Sequence, residues 1–270
     1  MSSGETRHRA KRSLGQNFLV DANLQRKIVD ALGAGPDDEV LEIGPGKGAL
    51  TRHLVGRVAR LVLVELDDGL AAALRTRFAD REDVEVIHGD ILEESLEAHF
   101  RNPGSTRVVG NIPYNITTPI IFRLLERPRP ADIVLMVQDE VADRIVAPVG
   151  SKAYGALSVG VRSVATATRL FKVGRGAFRP VPGVDSAVLR ITPHHPERTT
   201  AGEEEALRRI VRASFQWRRK QLRRILRDHP DLGYDETEIE HAADVAGVSA
   251  NDRPERVSPE AFIQLSGALP

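Results

Sequence analysis

Val40-Leu41-Glu42-Ile43-Gly44-Pro45-Gly46-Lys47-Gly48 decides how this chain is read. An apolar run broken only by Glu42 reads as a buried strand. It enters a glycine-rich turn, and Leu50, Leu54 and Val55 mark a helix behind it. Such a turn between strand and helix lets a ligand approach backbone amides at a helix N-terminus. The spacing is G-x-G-x-G rather than G-x-G-x-x-G, and no Lys-Ser/Thr pair follows, so this is not a P-loop.

Downstream, the pattern repeats as strand and helix in alternation. Residues 61–64 form a second strand that ends at Glu65. That acid lies about 20 residues beyond the glycine turn, where a carboxylate can take two ribose hydroxyls. Asp67 or Asp68 caps a helix carrying Leu70, Ala73, Leu74 and Phe78. A third strand, 84–87, leads through His88-Gly89 to Asp90. A fourth, 107–110, runs into Asn111-Ile112-Pro113-Tyr114. Pro113 removes a backbone donor and fixes φ, so the ladder stops there. The chain has only 3 Tyr and 4% aromatic residues, so a tyrosine on the loop leaving a strand calls for a reason. Gly44, Glu65, Asp90 and Asn111 thus stand in register at the C-terminal edges of four strands. Ligands bind at that edge in open parallel sheets, and this row reads as a nucleoside-binding edge.

A helix over 117–125 and a fifth strand over 133–137 follow, with the next helix starting near Gln138 or Asp139. Segments 167–173 and 187–191, joined by 174–186, read as a late antiparallel hairpin. Upstream, Gln16-Asn17-Phe18 precedes a helix over Ala22–Leu32, with Asp21 as N-cap and Gly33 as its stop.

After a polar linker at 193–202 the chain reads as all-helical. Leu207, Ile210, Val211, Phe215, Leu222, Ile225 and Leu226 make one apolar stripe with a break near Gln216. Between 208 and 227 lie nine basic residues and no acid, among them Arg218, Arg219, Lys220 and Arg223, with the only Trp, Trp217, in their midst. Residues 228–270 reverse the sign, with ten acids against Arg253 and Arg256, and hold two short helices near 236–246 and 259–265. The basic run reads as a polyanion-binding face. Residues 1–12 carry Arg7, Arg9, Lys11 and Arg12 against Glu5, and read either as a solvated tail or as an arm for phosphate contacts.

Composition sets the outer bounds. With 270 residues and 41% apolar content, the chain can build one large core, or an α/β core with a smaller appendage. Lys and Arg equal Asp and Glu at 38 each, so any polyanion affinity is local. The absence of Cys excludes disulfides, a thiol nucleophile and Cys-ligated metal centres, and fits a cytoplasmic protein. No apolar run approaches the roughly 18–20 residues of a membrane span, and the polar N-terminus predicts no signal peptide.

The motifs run in a fixed order: Leu14-Gly-Gln-Asn-Phe-Leu19, Leu41-Glu-Ile-Gly-Pro-Gly-Lys-Gly48, Glu65, Gly89-Asp90, Gly110-Asn-Ile-Pro-Tyr-Asn115, Phe178-Arg-Pro-Val-Pro-Gly-Val-Asp-Ser186 and Phe215-Gln-Trp-Arg-Arg-Lys-Gln-Leu222. This order resembles the KsgA-type rRNA adenine N6-dimethyltransferases over nearly the whole chain, including Arg253-Pro-Glu255 and Phe262. Gly15, where the related Erm-type 23S rRNA methyltransferases usually carry Ser, favours the KsgA type. Gly183 and Arg224 stand where the family often has Lys and Asn.

The resemblance implies a Rossmann-like class I methyltransferase sheet over 1–195 and a helical RNA-binding domain over 196–270. It implies S-adenosylmethionine as cofactor and no metal. Asn17 and Leu19 would close over the cofactor, the Gly44 and Gly46 turn would pass its methionine end, Glu65 would hold its ribose and Asp90 its adenine amine. Asn111 would bridge cofactor and target. The implied substrate is 16S rRNA within the small ribosomal subunit or its precursor, at two adjacent adenines of the 3′-terminal hairpin, each methylated twice. The chain would act as a monomer in the cytoplasm, away from membranes. The adenine N6 lone pair is conjugated and attacks poorly. The Asn111 side-chain oxygen and the Ile112 carbonyl would accept its hydrogens, with Pro113 contributing no competing N–H. Tyr114 would stack on one face of the flipped base and Phe178 on the other. Erm-type activity, an assembly factor on the same fold and a small-molecule methyltransferase are the alternatives.

Overall fold

The alternation of apolar runs and capped amphipathic segments folds as it reads, in a computed structural model that describes residues 16–270. The basic arm expected at 1–12 lies outside the described residues. The chain divides into two compact units. The first holds residues up to 142 together with 168–192, and the second holds 143–167 and 193–270.

In the first unit the elements are β1 (Phe18–Leu19), α1 (Ala22–Leu32), β2 (Glu39–Ile43), α2 (Thr51–Leu54), β3 (Arg60–Glu65), α3 (Asp68–Arg77), β4 (Val84–His88), α4 (Leu96–His99), β5 (Arg107–Asn111), α5 (Thr117–Leu124) and β6 (Asp132–Gln138). α6 (Asp139–Ile145) follows, then α7 (Ala156–Arg162), β7 (Ala165–Val173), β8 (Phe178–Arg179) and β9 (Ser186–Pro193). A seven-stranded sheet runs in the order β4-β3-β2-β5-β6-β9-β7. β2 pairs parallel with β3 and β5, β3 with β4, and β5 with β6, while β9 runs antiparallel to β6. The sheet is therefore mostly parallel with a late antiparallel part, as the sequence predicts. Strand order reverses between β2 and β5, and the C-terminal edge at that switch point is where an open sheet leaves a crevice.

Val40, Leu61, Leu63, Val109, Val134 and Met136 are fully buried in one core with Ile28, Leu32 and Leu54. Burial on both faces explains why these strands read as continuous apolar runs rather than as alternation. Asp21 caps α1 by accepting from the amides of Asn23 and Leu24 (2.9 and 3.0 Å), and Gly33 ends it in the left-handed region at φ 65°.

Two local expectations change. The helix behind the glycine turn is a single turn, Thr51–Leu54. Gly44, Gly46 and Gly48 all hold positive φ (62°, 57° and 76°), so the chain enters α2 through left-handed backbone and gains no long helix dipole. Phe18–Leu19, where the sequence predicts no strand, pairs antiparallel with Phe178–Arg179 as a two-stranded sheet. Only two residues long, that pair carries no period for sequence to reveal.

The second unit is helical: α8 (Ala201–Gln216), α9 (Leu222–Asp228), α10 (Glu236–Val245) and α11 (Pro259–Ala268) join α7. The boundary drawn at 195 misses residues 143–167, which belong here. Tyr154 and Val159 are fully buried with Leu207, Ile210, Leu222, Leu226, Phe262 and Leu265. The Tyr154 hydroxyl donates to the Val257 carbonyl at 2.7 Å, so this buried tyrosine holds a polar partner inside the helical core.

Candidate active site

The C-terminal sheet edge opens into a cleft of about 400 Å³. Asn17, Leu19, Gly44, Gly46, Glu65, Asp90, Asn111, Ile112, Pro113 and Tyr114 all line it. The fold therefore brings together every expected cofactor residue and four of the five expected catalytic residues.

The floor is the glycine turn. A Cβ on Gly46 would stand 3.2 Å from the Phe18 ring, so only glycine leaves both the turn and the cover in place. Lys47 Nζ sits over that ring, 4.8 Å from its centre. The Gly46 amide donates to Glu65 Oε2 and the Asp67 amide to Glu65 Oε1, both at 2.9 Å. Each oxygen keeps a lone pair. Burial raises the Glu65 pKa above its ordinary value, and the two amides oppose that shift. Asp90 is fixed by a turn, its Oδ1 accepting from the Leu92 amide at 2.9 Å.

The cover is a strap, residues 16–20, held at three points. The Gln25 side chain donates to the Leu19 carbonyl at 2.9 Å, the Val20 amide donates to the Ala177 carbonyl at 2.9 Å, and Asn111 Nδ2 donates to the Asn17 carbonyl at 2.9 Å. Gln25 is 2% exposed on the same helical stripe as Ile28, Val29 and Leu32. A glutamine on an otherwise apolar stripe was the available sign of this anchor.

The wall is the end of β5. A Cβ on Gly110 would fall 2.8 Å from the Ile112 side chain and 2.9 Å from the Ile43 carbonyl, so glycine lets β5 lie close to β2 there. The Ile112 amide donates back to the Met136 carbonyl at 3.1 Å, the last rung before Pro113. Among the described residues nothing donates to Asn111 Oδ1. The Tyr114 hydroxyl hydrogen-bonds Ser186 Oγ at 2.6 Å, and Ser186 is fully buried. Burial raises the Tyr114 pKa, and the bond to Ser186 opposes that shift.

Phe178 is not brought to this cleft. Its ring is fully buried in the core, opposite Leu19 in the β1–β8 pair. From there it backs the strap at Leu19 rather than lining the cleft. Sequence also passed over Glu42, which lines the cleft at 1% exposure. Burial pushes its pKa up to about 7, opposed by the nearby Thr51 amide and hydroxyl. Among the described residues, neither Glu42 Oε2 nor Thr51 Oγ1 has a hydrogen-bond partner of good geometry.

In the second unit, the uncompensated run of nine cations is not what the fold presents. Acids from the terminal stretch fold back onto it. Arg223 pairs with Glu236 and Glu240. Arg218 pairs with Glu255 at 3.5 Å and donates to the Lys152 and Ser151 carbonyls at 3.2 and 3.3 Å. Arg212 meets Asp231 at 3.1 Å, and Arg224 and Arg227 meet Asp228 at 3.6 and 2.8 Å. Among the described residues, Arg208, Arg219 and Lys220 make no ion pair. The count over 208–227 missed these acids because Asp228 and Asp231 fall just past the counted stretch, and Glu236, Glu240 and Glu255 lie beyond α9 and reach the basic run only when the chain turns back.

A strand order that reverses beside a left-handed glycine turn, with a carboxylate at the end of the next strand, defines an α/β protein with a nucleoside-binding sheet edge. Comparison with known proteins narrows the class. The chain belongs to the ribosomal RNA adenine dimethylase family, whose model matches residues 7–266, and it is an RNA methyltransferase. A protein of Geobacter metallireducens named Ribosomal RNA small subunit methyltransferase A is 44% identical over 264 residues, covering 97% of this chain and 96% of its own. One of the same name from Geobacillus thermodenitrificans is 41% identical, covering 96% and 90%. The crystal structure of the 23S rRNA methyltransferase ErmE superposes with a TM-score of 0.72 at 30% identity, covering 94% of this chain and 99% of that one. A dimethyladenosine transferase from Plasmodium falciparum gives 0.77 at 25% identity, covering 92% and 95%. Among the described residues no helix is long and apolar enough to cross a membrane.

Proposed function

We propose that the cleft binds S-adenosylmethionine and that the enzyme dimethylates N6 of two adjacent adenines in the 3′-terminal hairpin of 16S rRNA. The cleft residues suit that cofactor. Glu65, pinned by two amides with a lone pair left on each oxygen, suits a pair of ribose hydroxyls. Asp90, one oxygen of which is tied into a turn, suits an adenine amine. The left-handed turn at Gly44 and Gly46, where a Cβ on Gly46 would crowd the Phe18 ring at 3.2 Å, suits a ligand lying flat against backbone.

When bound, the cofactor supplies a sulfonium methyl that is already electrophilic. The protein's part is to hold the nucleophile. The observation that carries the reading is the Asn111 amide. Its nitrogen is committed to the Asn17 carbonyl at 2.9 Å, which leaves Oδ1 to accept from an incoming amine. The Ile112 carbonyl, followed by a proline, is the second acceptor. Tyr114 stacks on the flipped base, its ring steadied through Ser186. Holding N6 in line with the methyl supplies much of the acceleration.

The helical unit binds the RNA backbone, with Arg219 and Lys220 as direct phosphate contacts. Arg218 and Arg223, already paired within the unit, shape that surface. The protein works as a monomer in the cytoplasm, on 16S rRNA within the small subunit or its precursor. The close match to the ErmE structure keeps 23S RNA as the second reading. Incubation with methyl-labelled S-adenosylmethionine and each ribosomal subunit, followed by mapping of the modified base, decides between them. Label in the small subunit's 3′ hairpin is expected, and label in 23S RNA overturns the reading.

A further inference from the structure

The break between α8 and α9 builds a second concavity, of about 430 Å³, lined by Gln216, Trp217, Arg218, Arg219, Lys220, Arg224 and Asp228. That volume lies in the range of small-ligand sites. The break has a defined shape. α8 ends at Gln216, the Trp217 amide still reaches the Ala213 carbonyl at 3.2 Å, and the Lys220 amide turns back to the Trp217 carbonyl at 2.8 Å. Arg219 and Lys220 are thereby held on a tight turn beside the indole, both exposed.

The indole is held as firmly. Trp217 packs against His229 with ring centres 5.1 Å apart. His229 is 6% exposed and is fixed by Gln216 Oε1 at 2.9 Å and by the Asp231 amide at 3.2 Å. A partly exposed tryptophan on a buried, hydrogen-bonded histidine is a rigid plate. Asp228 adds the acceptor, its carboxylate steadied by Arg227 at 2.8 Å and Arg224 at 3.6 Å. An aromatic plate, unpaired cations and a carboxylate are the parts that recognise an unstacked nucleotide: stacking for the base, cations for the phosphate, and an acceptor for a base amine.

We propose that this pocket takes one unpaired nucleotide of the substrate RNA, at a point remote in sequence from the target-adenine slot. Trp217 stacks on the base, Arg219 and Lys220 hold its phosphate, and Asp228 accepts from its exocyclic amine. The proposal rests on the reading that the helical unit binds RNA. It assigns a role to Trp217 and Arg224, the latter at a position where the resembling family often has Asn.

Trp217 is the only tryptophan in the chain, so its fluorescence reports on this pocket alone. The full-length protein is titrated with a hairpin RNA that carries two adjacent adenines and an unpaired flank, and the binding of the same RNA, dye-labelled, is followed by anisotropy. Saturable quenching is expected to track the anisotropy. Trp217→Phe is expected to keep the affinity and Trp217→Ala to lose roughly tenfold, the scale of one base–aromatic stack. Lys220→Ala should weaken both signals. Binding by anisotropy with unchanged tryptophan emission, or with Trp217→Ala as tight as wild type, overturns the pocket and leaves the RNA-binding unit standing. Quenching by inorganic polyphosphate equal to that by RNA also overturns it, since the plate would then read charge only. Absence of binding in both signals overturns the pocket and the RNA-binding reading together.

Discussion

Asn111 Nδ2 donates to the backbone carbonyl of Asn17 at 2.9 Å, joining the strap over the sheet-edge cleft to the end of β5. One contact thus serves two ends: it closes the strap, and it sets which way the Asn111 amide points. Asn111→Ala removes the acceptor and the latch together, and methyl transfer is expected to fall about 10²-fold or more, the scale of losing one preorganised transition-state hydrogen bond. Asn111→Asp keeps an acceptor but turns a carboxylate toward the Asn17 carbonyl, so the cofactor KM should rise before kcat falls. Steady-state methyl incorporation measures both. Near-wild-type kcat in Asn111→Ala would remove the acceptor role.

Tyr114 is bonded to Ser186 at 2.6 Å from a strand that is itself paired with β6, so its ring is placed by the antiparallel side of the sheet. Tyr114→Ala is expected to lower kcat/KM on RNA by about 5- to 150-fold, the equivalent of ~1–3 kcal/mol of base stacking. Cofactor affinity by calorimetry should stay within twofold. Ser186→Ala leaves the ring but loosens it and should fall between wild type and Tyr114→Ala. Lost cofactor affinity with intact turnover in Tyr114→Ala would assign the ring to the other site.

The floor of this site was legible because it is made by local chemistry. A glycine turn after an apolar run, and an acid at the end of the next strand about 20 residues on, follow from chain geometry that any such sheet imposes. Its supports were less legible, because they depend on partners far along the chain. Ser186 lies 72 residues from Tyr114, and Asn17 lies 94 from Asn111. Phe178 shows the opposite failure. An aromatic beside a Pro-rich turn invites a stacking role, yet burial against the strap decides its place. The charges in the helical unit failed similarly, since Glu236 and Glu240 reach Arg223 only after the chain has turned back.

That neutralisation separates two kinds of cation. Arg223→Ala is expected to cost on the order of 0.5–1 kcal/mol of stability, as partly exposed pairs do, with little change in the salt dependence of RNA binding. Arg219→Ala combined with Lys220→Ala should leave the melting temperature within a degree or two. It should flatten the slope of log K against log salt by about 1.4, two phosphate contacts on single-stranded RNA. Thermal melts and binding at four salt concentrations test both variants. A flattened slope in Arg223→Ala would mean that its acid partners release it to the RNA.

Glu42 is a stored cost in the wall of the sheet-edge cleft. In the unfolded chain it ionises near its ordinary 4.5, whereas in the fold burial holds its proton to about 7. Below pH 4.5 both states carry the proton and nothing is lost. Between about 4.5 and 7 the folded state binds more protons than the unfolded one, so stability falls as pH rises. Above about 7 the loss is complete, on the order of 3 kcal/mol at 1.36 kcal/mol per pH unit. Glu65 is shifted in the same direction and adds to the trend. Glu42→Gln keeps the shape and never carries the charge. The variant is therefore expected to melt within a degree or two of wild type at pH 4.5 and several degrees above it at pH 8, with the gap opening between pH 5 and 7. Melting curves of both proteins across that range read the difference directly, and titrations common to both cancel. A gap that is constant with pH would show that folding leaves the Glu42 pKa at its ordinary value, and one that closes as pH rises would show that Glu42 gains a partner that holds it ionised in the fold.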